Sequence, residues 1–80
     1  MKVLEAQKLC NCLIDLIKED MNKKHITNYA LAQKSGITEA HLSYIFNHKK
    51  QPSFYLLLMI SNALSVKLSD FIKMIEKEDS

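Results

Sequence analysis

Three histidines, two cysteines and nine carboxylates are the residues of this chain with reactive chemistry to offer, and their spacing decides what they can do. Cys10 and Cys12 lie two apart in a helical pattern, so their side chains diverge by about 200°. They make no disulfide framework, and a metal site would need further Cys or His close by, whereas the next candidate, His25, stands thirteen residues on. Both read as free thiols packed like small hydrophobes. His41 and His48 are seven apart with an expected helix end between them, which does not suit a zinc pair. No Ser, His and Asp order and no carboxylate pair fits a catalytic arrangement. The lone Gly removes any Gly-rich phosphate cradle. Neither an enzyme nor a bound metal or cofactor is expected.

The stretch from Asn28 to Asn47 carries a different signal. A helix-turn-helix needs a small residue in its first helix, where the second helix crosses closely. It also needs Gly at the turn and apolar residues just after the turn and on the second helix's buried face. Ala32 stands four residues before Gly36, Ile37 follows it, and Leu42 and Ile45 lie six and nine after it. Leu31 completes the buried set. The plainer alternative is a helical hairpin with no nucleic-acid role. Charge adds to the first reading. The net charge is only +2, yet residues 23–50 hold Lys23, Lys24, Lys34, Lys49 and Lys50 against Glu39 alone, together with all three histidines. A positive middle between mildly acidic ends is the footprint of a surface that meets a polyanion.

Elements must hold these positions, and composition says which kind. One Gly and one Pro in 80 residues leave too few turn formers for a sandwich or barrel, so the chain is expected to be all-α. The first helix should run from about Val3 to Asn22, with Ala6, Leu9, Cys10, Leu13, Ile14, Leu16, Ile17 and Met21 on one side. With Cys12 its apolar arc spans roughly 200°, enough to meet two surfaces. Lys23, Lys24 and His25 form a polar break. Thr27 can cap a second helix, Asn28 to Ser35, that ends at Gly36. Thr38 can cap a third, Glu39 to Phe46, followed by a loop over 47–52 in which Pro52 disfavours helix at Gln51. Ser53 caps a fourth, Phe54 to Leu64. A fifth runs from Leu68 to about Glu78, with Leu68, Phe71, Ile72 and Ile75 on one face. One domain over 1–80 is expected, its motif at about 28–47. The longest apolar run, Phe54 to Ile60, is far short of a membrane span. The first residues lack the pattern of a signal peptide. A cytoplasmic protein with no membrane partner is expected.

The chain resembles the Cro/phage-repressor-type (XRE) family of helix-turn-helix regulators. The resemblance rests on Thr27-Asn28-Tyr29-Ala30-Leu31-Ala32-Gln33-Lys34-Ser35-Gly36-Ile37-Thr38, on Leu42-Ser43 and on Gln51-Pro52-Ser53. It continues through Leu57, Ile60, Ala63-Leu64 and the run from Val66 to Phe71, and covers about residues 13–73. It implies a five-helix, repressor-like domain whose helices two and three form the motif and whose third helix enters the DNA major groove. Many members carry Glu and Gly shortly after that helix, where this chain has Phe46 and His48, and often Gly where it has Ser65. These departures bear on the loops.

Carried over by position, the resemblance implies base contacts from Thr38, Glu39, Ala40, Ser43 and Tyr44, with Leu42 and Ile45 turned in. Ala40 suits a thymine methyl, Glu39 a cytosine amino group, and Tyr44 a base or the sugar-phosphate wall. Thr27 and Asn28 would meet a phosphate at the second helix's start, and Asn47, Lys49 and Lys50 would grip the backbone. His41 is either a rim contact or a solvated residue. Glu39 repels phosphate, and the absence of Arg removes the bidentate guanine contact, so modest affinity is expected. The expected function is that of a small, stand-alone DNA-binding regulator, a repressor, controlled by its abundance or by a regulatory protein partner. The alternative is a protein-interaction module on the same fold, antitoxin-like or an adaptor. A homodimer is expected, because operators read by this motif consist of two half-sites. A two-fold contact through helices four and five is expected, with Tyr55, Leu56, Met59 and Met74 as its interface candidates and helix one as runner-up surface. Otherwise helix one folds over helix five and buries the apolar excess within one chain.

Overall fold

A computed structural model describes the backbone of residues 3–79 and the side chains of residues 5–77. The elements are α1 (Val3–Lys23), α2 (Asn28–Ser35), α3 (Glu39–Phe46), α4 (Phe54–Ala63) and α5 (Leu68–Asp79). Every one of them was expected, with ends that agree to within a residue, and among the described residues there is no strand.

Three of the helices start where a hydroxyl can take up an orphan backbone N–H. The Thr27 hydroxyl oxygen accepts from the Ala30 N–H at 3.1 Å, Thr38 from His41 at 3.2 Å, and Ser53 from Leu56 at 3.1 Å. Four helices end on a left-handed residue. Gly36 (φ 79°) closes α2, as its lack of a Cβ favours. His25 (φ 57°), His48 (φ 59°) and Ser65 (φ 60°) do the same for α1, α3 and α4. Behind each of these three, the next N–H reaches back into the helix: Ile26 to the Met21 carbonyl at 2.8 Å, Lys49 to Tyr44 at 2.9 Å and Val66 to Ser61 at 3.0 Å. The departures at His48 and Ser65 therefore keep a glycine-like backbone without glycine.

The core gathers Leu13, Ile14, Ile17 and Met21 of α1, Leu31, Ile37, the inner face of α3, Leu57, Ile60 and Leu64 of α4, and Leu68 and Phe71 of α5. Each such side chain contributes about 1.5–3 kcal/mol by leaving water. α1 packs against both α3 and α5, α2 against α3 and α4, and α4 against α5. The wide arc of α1 is thus used on two surfaces inside the chain, and helix one does fold over helix five. Its beginning is outside the core: Ala6 is exposed and Leu9 and Cys10 are half-buried, because α1 starts before its neighbours do. Burial pushes the Cys10 thiol above its ordinary pKa. Cys12 is exposed, and both thiols are free.

One position differs from expectation, and one buried residue had not been singled out. Ile72 is exposed and not on the buried face of α5, whose centre runs through Leu68, Phe71 and Ile75. Phe46 is buried at the end of α3. No single helix among the described residues is long and apolar enough to cross a membrane.

Candidate nucleic-acid interface

Leu42, Ile45 and Phe46 anchor α3 in the core, and the opposite side follows from helical geometry. At 100° per residue, Glu39, Ala40, Ser43, Tyr44 and Asn47 share an arc of about 140°. Glu39, Ala40 and Tyr44 are exposed, Ser43 is half-buried, and Thr38 is exposed at the cap. The outward set expected from the sequence is therefore the outward set in the structure. Asn47 is not a free side chain. Its amide donates to the Ser43 carbonyl at 2.9 Å and lies 3.3 Å from the Ser43 hydroxyl oxygen. With that oxygen accepting, the Ser43 proton is left to donate outward.

Thr27, Asn28 and Asn47 come together around one cleft of about 360 Å³ where α1, the start of α2 and the end of α3 meet. Lys18 and Asn22 of α1 line the same cleft, and neither was among the expected contacts. Their i, i+4 spacing on the polar side of α1 was the available signal. Lys18 also donates from Nζ to the Phe46 carbonyl at 3.2 Å, placing a cation at the C-terminus of α3, where the helix dipole is negative. Lys49 and Lys50 are exposed in the loop after α3 and do not line that cleft. Between them and α3, the His48 Nε2 stands 3.2 Å from the Asp15 Oδ1, which ties the loop to α1.

A second cleft, of about 390 Å³, joins the turn to both helices and contains Tyr29, Gln33, Thr38 and Glu39. Tyr29 is an exposed aromatic beside the outward arc of α3, and its position in the sequence did not single it out. The His41 Nε2, by contrast, is shut off from solvent with no hydrogen-bond partner, so that atom does not serve as a rim contact in this conformation. Among the described residues, no group of three or more His, Cys, Asp and Glu is arranged to hold a metal ion.

Five helices, with the second and third set as a capped pair around Gly36, define a helix-turn-helix protein of the DNA-binding class. Residues 17–77 match the model of the Cro/C1-type HTH DNA-binding domain, and the chain belongs to this family. Comparison with curated proteins and comparison with solved structures return no match.

Proposed function

We propose that this protein is a transcriptional repressor that binds duplex DNA sequence-specifically, acting over residues 1–80 as one DNA-binding unit. α3 lies in the major groove. The observation that carries this reading is the outward arc of α3, exposed at Glu39, Ala40 and Tyr44 while the rest of the helix is fixed in the core. Ser43, held by Asn47, donates to a base acceptor such as guanine N7 or O6. Glu39 accepts from cytosine, Ala40 meets a thymine methyl, and Tyr44 and Thr38 border the groove wall. The cleft of Lys18, Asn22, Asn28 and Asn47 takes a backbone phosphate, with Thr27 setting the helix start, and Lys49 and Lys50 grip the next stretch of backbone. Two copies read the two halves of one operator.

One observation favours a second reading, a protein-interaction module. Glu39 presents a carboxylate on the reading arc of a chain that has no Arg. The test is selection of an operator from a random duplex library, followed by Tyr44→Ala. The variant should keep its helical circular dichroism signal and lose about 1–3 kcal/mol of specific binding. Equal operator affinity in variant and parent would overturn the assignment of α3, and failure to enrich any sequence would leave the interaction module.

A further inference from the structure

We propose that Asp15 and His48 are a positioning pair for DNA binding, whose contact holds the backbone after α3 where Asn47, Lys49 and Lys50 can meet phosphate. The proposal rests on the DNA reading above, and it assigns neither residue a contact with DNA. The chain leaves α3 through a backbone that resists being held. His48 sits at φ 59°, a region L-residues enter at a cost. Local bonds from the last turn support it: the His48 N–H donates to the Ile45 carbonyl at 3.1 Å and the Lys49 N–H to Tyr44 at 2.9 Å. Beyond them, residues 51–53 belong to no helix, and Pro52 has no N–H to give.

Two side-chain contacts cross from α1 to this point. The Lys18 Nζ donates to the Phe46 carbonyl at 3.2 Å, and the Asp15 Oδ1 stands 3.2 Å from the His48 Nε2, 33 residues along the chain. Asp15 and Lys18 are one turn apart on α1, and the residues they hold lie on either side of Asn47, which lines the cleft proposed for phosphate. Of the two contacts, the one at His48 lies on the loop side, so it fixes the direction in which Lys49 and Lys50 leave. Charge and position act here with opposite signs. Asn22, on the same cleft, lies seven residues from Asp15, about 10 Å along one face of α1. A carboxylate that near a phosphate repels it, over a screening length of about 8–10 Å. If Asp15 acted through its field alone, removing it would tighten binding to DNA. If it acts by holding His48, removing it weakens binding, because only molecules with the loop in place bind at full strength.

The test compares the full chain with Asp15→Ala, His48→Ala and the double variant in two measurements. One is equilibrium titration of a half-site taken from the selected operator. The other is amide hydrogen exchange at Lys49 in the free protein. Exposed contacts of this kind are worth a small factor, so each single variant should bind the half-site about two- to fivefold more weakly than the parent. The double variant should bind no more weakly than the weaker single, because the pair acts as one unit. All three should keep the parent circular dichroism spectrum and lose protection at the Lys49 N–H by a similar factor. Tighter binding by Asp15→Ala overturns the proposal, as do losses that add in the double variant. Unchanged protection at Lys49 overturns it with no reference to DNA. A parent that binds no duplex refutes the DNA reading and with it the pair's part in binding, whereas protection lost at Lys49 would still leave the pair as the anchor of the loop.

Discussion

On the proposed reading, discrimination falls to a few small polar groups, because no Arg is present to take a guanine by two hydrogen bonds at once. Ser43 and Asn47 show how the chain compensates: the amide of one fixes the hydroxyl of the other, so less rotamer freedom is lost on contact. Lys49 and Lys50 have no such constraint, being exposed on a loop, and a flexible ammonium suits phosphate more than a base edge. Changing both to Ala should therefore weaken binding to every duplex by a similar factor. The slope of log K against log salt should flatten by up to about 1.8 per subunit. An unchanged slope in a salt titration would place both lysines in solvent, away from the DNA.

The helices begin where their side chains announce it and end where they do not. Thr27, Thr38 and Ser53 are hydroxyl residues ahead of apolar patterns, and all three cap as the sequence implies. The left-handed ends are legible only at Gly36, because His25, His48 and Ser65 adopt a backbone that L-residues enter at a cost of about 1–2 kcal/mol. A stability difference follows. At Gly36 an added Cβ would meet nothing within 4 Å, so Gly36→Ala should cost about 1 kcal/mol through backbone strain alone. Ser65→Gly should do the reverse and raise stability by about 0.5–1 kcal/mol, a few degrees in melting temperature. His48→Gly should fall near zero, since the gain is offset by the lost contact with Asp15. Thermal denaturation of the three variants checks the order, and a Ser65→Gly protein that melts lower than its parent would contradict it. Long-range ties were equally silent in the sequence. Lys18 reaches the end of α3, and Lys24 reaches the Leu64 carbonyl at 2.8 Å while pairing with Asp20, across 28 and 40 residues of chain. Phe46 stands four residues after Leu42 on the same face of α3, so its burial follows the helical period.

At the scale of the whole molecule, size sets the mode of reading. The chain extends 35 × 23 × 19 Å, its longest dimension close to one turn of DNA, and it presents one helix-turn-helix among its described residues. On the proposed reading one copy covers one half-site, and a rigid contact between two copies would fix how far apart two half-sites can be. Two copies in rigid contact would hold their third helices at one separation, so a dimer matched to half-sites about 34 Å apart would not also span about 68 Å. Inserting 5 base pairs between the half-sites turns one of them to the far side of the duplex, and inserting 10 restores the side but doubles the distance. Both insertions should lower affinity to that of a single half-site, and the second loss is the informative one. A flexible or absent connection between copies would tolerate the 10-base-pair insertion, so operator affinity that recovers there, measured in an equilibrium titration, would show that the two copies bind independently.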